Sequence, residues 1–244
     1  MRNAFDLSGR RILITGAAAG IGAATARVCA SLGAEMILVD IDGGGEGTAH
    51  SIRQTGGLAT AEVADVSQRS EVERIANQVG EIDGLVLNAA VCPWDEDWNA
   101  PDWDASFERV TKVNVMGPIH AARAFMPGMI ARQKGAIVLV GSLAGRMGGL
   151  IAGPHYVASK GAVHALVKWL ARQAAPHGVL VNGVAPASVE TPMMRGRPVD
   201  LTRIPIGRKA KPEEIAWPIA FLCSDAASYM CGAILDINGG VHMT

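Results

Sequence analysis

The sequence predicts an α/β fold, a doubly wound parallel sheet of about seven strands with helices on both faces. Three features carry that expectation. Short apolar runs of strand length alternate with helix-length segments along the whole chain. Those runs are continuously apolar, as strands buried on both faces are. The first of them ends in a glycine-rich turn that opens directly into an alanine-rich helix. No composition break or linker interrupts the pattern, so residues 1–244 are expected to form a single domain.

Composition narrows the possibilities. Hydrophobic residues make up 49% and charged residues 18%, so a large core is available and disorder is not expected. The formal net charge of −1 gives no reason to expect nucleic acid or an anionic membrane as a partner. No uninterrupted apolar run approaches the ~20 residues that span a bilayer. The opening Met1-Arg2-Asn3-Ala4-Phe5-Asp6 has no apolar region, so no secretory leader is expected. Cys29, Cys92, Cys223 and Cys231 lack C-x-x-C or Cys/His ligand spacing. The expectation is a reduced, cytoplasmic protein without a metal.

The elements follow in order. Arg11–Thr15 reads as the first strand, and Thr15 to Gly22 as the turn into a helix that runs to about Leu32. Glycines there let a backbone approach a pyrophosphate, and the helix start offers unpaired N–H groups at its positive dipole end. Gly16, Ala19, Gly20, Ile21 and Gly22 are the candidate contacts. Glu35–Val39 is the second strand and ends at Asp40, where a carboxylate can accept hydrogen bonds from both adenosine ribose hydroxyls. The same charge repels a 2′-phosphate, and no Arg or Lys stands in the glycine loop or at Ile41, so NAD is favoured over NADP. Leu58–Val63 is the third strand, followed by Asp65-Val66, and Gln68 to Val79 has helical spacing. Gly84–Leu87 is the fourth, closed by Asn88-Ala89-Ala90, whose small residues let backbone lie against a flat ring or ribose.

A polar, tryptophan-rich segment from Pro93 to Trp103 then leads into a long helix to about Lys134. That helix contains Asn114 and Gly117-Pro118, where a kink is expected. Ala136–Val140 is the fifth strand and ends at Gly141-Ser142, at the strand end where open α/β sheets bind ligands. A helix follows from about Pro154 to Ala175, then a sixth strand, Val179–Val184. Residues 188–211 have many prolines and no strong period and read as a mobile loop. Pro212 to Cys223 is helical, with Pro at its start and Glu213 and Glu214 in its first turn. Ala233–Ile237 is the last strand.

Tyr156 and Lys160 stand four apart in the Pro154 helix and so share a face. A fixed ammonium near a phenol favours the phenolate, lowering a pKa of about 10 toward the range of a general acid or base.

Together these motifs resemble the short-chain dehydrogenase/reductase family, over about Leu7 to Gly240. The resemblance rests on T-G-x-x-x-G-x-G at Thr15 to Gly22, Asp65-Val66, Asn88, Asn114, Ser142, Y-x-x-x-K at 156–160, and I-P-I-G-R with P-E-E-I within 204–215. It resembles the NAD-preferring, 3-oxoacyl-reductase-like members and implies a Rossmann fold. By resemblance, Tyr156 is the general acid or base and Ser142 holds the substrate oxygen. Lys160 lowers the Tyr156 pKa and binds the nicotinamide ribose, and Asn114 holds a water linking Lys160 to solvent. Asp65 and Val66 contact adenine. Asn88, Ala89, Ala90 and Pro186 belong to the cofactor site, and Thr191 with the Val189 backbone holds the carboxamide. Relatives are commonly homotetramers built on the Asn114 and Tyr156 helices and the C-terminal strand.

The chain departs from the family pattern at Ala90 and Ala187, where glycine is usual. The Ser142-to-Tyr156 interval is one residue longer than the commonest, and the 191–205 loop looks short. Candidate pocket residues are Val91, Trp94, Leu143, Met147, Leu150, His155, Pro186, Met193 and Met194. They imply a largely apolar pocket that suits a hydrophobic or aromatic ketone or alcohol better than a free sugar, with no basic cluster awaiting a carboxylate or phosphate. The expected activity is NAD-dependent interconversion of a secondary alcohol and a ketone, with 3-oxoacyl thioesters and polyols as alternative substrates. A catalytically silent NAD-binding sensor is the non-enzymatic alternative, and it has no need of Ser142, Tyr156 and Lys160 together.

Overall fold

Seven strands form one parallel sheet: β1 (Arg11–Thr15), β2 (Glu35–Asp40), β3 (Leu58–Val63), β4 (Gly84–Leu87), β5 (Gly135–Val140), β6 (Val179–Pro186) and β7 (Ile234–Ile237). Their spatial order is β3-β2-β1-β4-β5-β6-β7, all parallel. The computed structural model describes residues 3–149 and 151–243. The pocket candidate Leu150 lies outside the described residues.

Continuous apolarity in the strands is explained by two cores, one on each face. Along β1, Ile12 and Ile14 join one buried cluster while Leu13 joins the other. Met36 and Leu38 against Ile37 and Val39 repeat this in β2, as Val138 and Val140 against Ile137 and Leu139 do in β5. Successive side chains point to opposite faces, so a strand covered on both sides is apolar at every position. Helices α1 (Gly20–Ser31), α2 (Gly45–Gln54) and α8 (Pro212–Leu222) cover the first face. The second is covered by α3 (Arg69–Val79), α5 (Gly117–Ala131) and α7 (Pro154–Ala174). At the β3 edge the cover ends, and Leu58 and Val63 are exposed. Two further helices, α4 (Trp103–Thr111) and the short α6 (Ala144–Met147), flank the carboxyl ends of the strands.

The long helix expected over Trp103–Lys134 is continuous but locally under-wound. Between α4 and α5 lies a π-helical turn, Lys112–Met116, closed by a bond from the Gly117 N–H to the Lys112 carbonyl. Pro118 has no N–H to give the carbonyl of Asn114 four residues earlier, which disfavours a plain α-turn at this point. The side chain of Asn114 then turns inward and is 1% exposed. The expected kink is therefore a widened turn. The expected loop at 188–211 contains two short 3₁₀ turns, Pro192–Met194 and Leu201–Arg203, and a single parallel bridge between Val189 and Ala210.

Strand order reverses between β1 and β4, and the crevice over their carboxyl ends is where such sheets bind ligands. Asn88 spans it. Its backbone N–H donates to Thr15 Oγ1 at 3.1 Å, and its Nδ2 donates to the carbonyls of Thr15 at 3.1 Å and Gly16 at 2.8 Å. These bonds set the spacing of the crevice floor.

Candidate active site

A cleft of about 530 Å³ runs along the carboxyl ends of the strands. At one end the turn after β1 is packed so closely that only glycine fits. A Cβ on Gly16, whose φ is +68°, would lie 2.8 Å from Ala89 Cα, and one on Gly22 would lie 2.0 Å from the Gly16 carbonyl oxygen. Gly16, Ala19, Gly20 and Ile21 line the cleft, while Gly22 supports them from behind. Ala19 precedes α1 with no side-chain cap, so the first N–H groups of the helix face the cleft without a protein partner. Thr191 closes over this turn, its Cγ2 standing 3.1 Å from where a Gly20 Cβ would be.

Asp40 ends β2. Its Oδ2 accepts from the Ala18 N–H and its Oδ1 from the Ile41 N–H, both at 2.8 Å, which fixes the carboxylate at the cleft rim. Asp65 is held by the Ser67 N–H at 2.8 Å, and the Val66 carbonyl faces His120 Nδ1 at 3.1 Å. Ile41, Asp65, Val66, Ala89, Ala90, Pro186 and Val189 also line the cleft, with Asn88 beneath.

On the other side of the switch point, Ser142 follows β5, and Tyr156 and Lys160 project from α7 into the same wall. The Lys160 ammonium is 3% exposed, lies 5.5 Å from the centre of the Tyr156 ring, and donates to the Val140 carbonyl at 2.9 Å. Burial lowers the Lys160 pKa to about 8, with the neighbouring Cys92 acting the other way. Burial also pushes the Tyr156 phenol well above its ordinary range, helped by Cys92 and opposed by Ser142. In the protein by itself, then, desolvation overrides the lowering expected from a lysine four residues on. The Cys92 thiol is pushed up to about 12 by the same burial, opposed by Lys160 and Arg197, and stays protonated at neutral pH.

Asn114 does not line the cleft. Its Oδ1 accepts from the Val91 N–H at 2.8 Å, and its Nδ2 donates to the Val91 carbonyl at 2.9 Å and to Ser159 Oγ at 3.0 Å. It thereby fixes Val91, a cleft residue, to α7. Both amide donors are thereby spent on positioning Val91 and Ser159.

His155 departs from the pocket expected for it. Although it precedes Tyr156, one step along a helix turns a side chain through ~100°. Its ring is 2% exposed, stacks on Trp103 at 5.7 Å between centres, and sets Nε2 3.3 Å from Glu96 Oε2. Trp94, Leu143, Met147, Met193 and Met194 do line the cleft, and Ile151 and Val241 join them. The indole N–H of Trp94 donates to the Met193 carbonyl at 3.1 Å, linking the two loops that bound the cleft mouth.

One supporting residue was missed in the sequence. His164 lies beneath Gly141, so close that a Cβ there would stand 2.4 Å from its Nε2, and that nitrogen faces the Ser142 N–H at 3.4 Å. Burial, reinforced by Arg146 and Lys160, lowers the His164 pKa to about 4, so the ring is neutral and can accept from Ser142. The available signal was spacing, since Tyr156, Lys160 and His164 recur every four residues on one helix face.

Known proteins share this sequence pattern and this fold. Residues 16–242 match the family described as enoyl-(acyl carrier protein) reductase. The chain is 38% identical over 240 residues to cis-4-hydroxycyclohexanecarboxylate dehydrogenase of Sinomonas cyclohexanicum, covering 95% of this chain and 96% of that protein. A candidate NAD(P)-dependent gluconate 5-dehydrogenase from Beutenbergia cavernae, solved with NADP at low occupancy, superposes with a TM-score of 0.92 at 34% identity, covering 98% of this chain and 99% of that one. A 3-oxoacyl-[acyl-carrier protein] reductase from Brucella melitensis, solved with NAD, gives a TM-score of 0.91 at 30% identity, covering 100% and 95%.

The buried ammonium has a measurable signature. A lysine titrating near pH 8 when folded and near 10.4 when unfolded destabilises the fold below pH 8, and this penalty fades as pH rises through that window. Relative to Lys160→Met, the wild type should therefore gain on the order of 2–3 kcal/mol between pH 7.5 and pH 10. Urea unfolding of both proteins at the two pH values reads the difference. An unchanged gap would mean the ammonium is not desolvated.

Proposed function

The chain belongs to the short-chain dehydrogenase/reductase family, and on that premise we propose that it is an NAD-dependent enzyme interconverting an apolar secondary alcohol and its ketone. The observation that carries this reading is the meeting of Ser142, Tyr156 and Lys160 on one wall of a cleft whose far end is the glycine cradle and Asp40.

The residues fit a nicotinamide dinucleotide. The cradle has room that any Cβ would fill, and uncapped N–H groups of α1 suit a pyrophosphate. Each Asp40 oxygen accepts one backbone N–H and keeps a lone pair for a ribose hydroxyl, while its charge opposes a 2′-phosphate. This supports NAD. Asp65 and Val66 would receive the adenine. Asn88, Ala89 and Ala90 would lie along the ribose, and Pro186, Val189 and Thr191 would hold the carboxamide. When bound, the nicotinamide supplies the hydride acceptor or donor.

The chain's own groups do the rest. The Ser142 hydroxyl holds the substrate oxygen. The Tyr156 phenol gives that oxygen a proton in reduction and takes it in oxidation. Lys160 holds the nicotinamide ribose and, with the positive ring of the oxidised cofactor, counters the burial that keeps the phenol protonated. Asn114 acts through Val91 and Ser159 without touching substrate. Leu143, Met147, Ile151, Met193, Met194 and Val241 supply an apolar wall suited to a hydrocarbon ring or chain. Segment 188–211 serves as the substrate loop of a single domain.

We also read the protein as a cytoplasmic homotetramer. Exposed Phe107 and Met116 near the Asn114 turn, Trp169 on α7 and the fully exposed Tyr229 support association through these surfaces. No helix among the described residues is long and apolar enough to cross a membrane. Sedimentation should give about four times the subunit mass of 25.4 kDa, and a one-subunit mass would reject the tetramer.

Absorbance at 340 nm, with a panel of secondary alcohols, ketones, polyols and 3-oxoacyl thioesters, tests the activity. Apolar substrates should lead the panel, NAD should exceed NADP at least tenfold in kcat/KM, and Tyr156→Phe should lose about 10²–10⁴-fold in rate. Preference for NADP would overturn the role of Asp40. A silent panel with tight NAD binding would favour the sensor.

A further inference from the structure

The cleft carries one charge that the chemistry above does not use. Arg203 ends the turn Leu201–Arg203 and lines the cleft. Among the described residues the only other cation there is Lys160, which is buried and donates to Val140. The exposed Arg203 side chain makes no hydrogen bond and no close ion pair with any described residue, and the charge it acts on is that of Asp200, whose pKa it helps to lower. Its loop neighbours Arg197 and Arg208 are both engaged, with Asp95 and Glu214. An arginine on a cleft wall that gives none of its N–H groups to the protein keeps its whole donor fork for a ligand.

Its position identifies which end of the cleft it serves. Asp40 ends β2 and Asp65 follows β3 on one side of the switch point, and Ser142 follows β5 and Pro186 ends β6 on the other. The residues just after Arg203 are tied to the far side. The Ile206 N–H donates to the Gly239 carbonyl beyond β7 at 3.2 Å, and Ile204 and Val241 line the cleft together. Its neighbours in the chain thus put Arg203 on the β6–β7 side of the cleft, away from the strand that carries Asp40. Met194, Pro198, Val199, Ile204 and Val241 line the same cleft, several of them from the loop that carries Arg203. At an apolar rim a guanidinium is weakly hydrated and presents a planar fork that matches a carboxylate.

Asp200 lines the same wall but is committed to the turn. Its Oδ1 accepts from the Thr202 N–H at 3.0 Å and from Thr202 Oγ1 at 2.6 Å. Its negative charge also disfavours a phosphate dianion more than a carboxylate monoanion at Arg203. We propose that Arg203 is a subsite for a substrate carboxylate, so that the substrate is an apolar secondary alcohol or ketone bearing a carboxylate away from the reacting carbon. This rests on the oxidoreductase reading above and adds the charge that the sequence did not reveal.

The test uses ketones of one carbon skeleton carrying a carboxylate, a methyl ester or a primary amide, with NADH and either the wild type or Arg203→Met. The wild type should favour the acid over the ester at least tenfold in kcat/KM, mainly through KM. In R203M that ratio should collapse toward one, and Arg203→Lys should restore part of it. An acid preference that survives in R203M would overturn the proposal, as would a wild type that reduces the ester as well as the acid. A larger loss on 3-oxoacyl-coenzyme A than on the small acids would overturn it in favour of phosphate. If no ketone is turned over, the oxidoreductase reading fails separately. Calorimetric binding of acid against amide to the NADH complex, wild type against R203M, then still decides the subsite.

Discussion

A charged ammonium held out of water is the constraint on which this site depends. Lys160 sits almost fully buried at the carboxyl end of β5, with the Val140 carbonyl as its bonded partner. A lone buried cation is costly, and here the cost appears as a pKa drawn down to about 8. The phenol beside it suffers the opposite shift for the same reason, since burial penalises whichever form carries charge. Neither group is poised by the other alone. A bound cation next to the phenol changes that balance, which ties the acid–base state of Tyr156 to the occupant of the cleft.

The rest of the architecture keeps that wall in register with the nucleotide end. Polar side chains bonded to backbone do most of this. Asn88 fixes the distance across the switch point, Asn114 ties Val91 to α7 through Ser159, and His164 supports the turn that carries Ser142. Asn182, 1% exposed, joins β6 to the approach to β7 through Met230 and Ala233. Such buried amides leave backbone groups unsatisfied when removed, so they specify geometry more strongly than another aliphatic residue would.

Much of this was legible in the sequence because two physical signals were strong. Two-sided burial makes strands apolar at every position, and so all seven were found to within one or two residues of their ends. The glycine turn was legible because Gly16 and Gly22 meet atoms that exclude any side chain. What escaped notice depends on direction and on desolvation. His155 adjoins Tyr156 in sequence, yet helical rotation turns it onto Trp103 and Glu96. Arg203 was one basic residue in an aperiodic loop, and only the fold shows that it reaches the cleft while Arg197 and Arg208 are engaged elsewhere. The Tyr156–Lys160 spacing gave the pairing but not the sign of its effect, because spacing carries no information about burial. The widened turn at Asn114 was anticipated only as a kink, since Gly117-Pro118 marks a disruption without specifying its form.

The most direct measurement of the central claim is the ionisation of Tyr156 followed by absorbance at 295 nm. The chain has two tyrosines, so a Tyr229→Phe background leaves Tyr156 as the single phenol. The protein alone should show no ionisation up to pH 10, in keeping with its buried phenol. Saturating NAD⁺ should bring ionisation into the range between about pH 6 and 9, and NADH, whose nicotinamide ring is neutral, should not. An unchanged titration with NAD⁺, or an equal shift with NADH, would contradict the view that the positive charge of the bound cofactor sets the proton balance at this site.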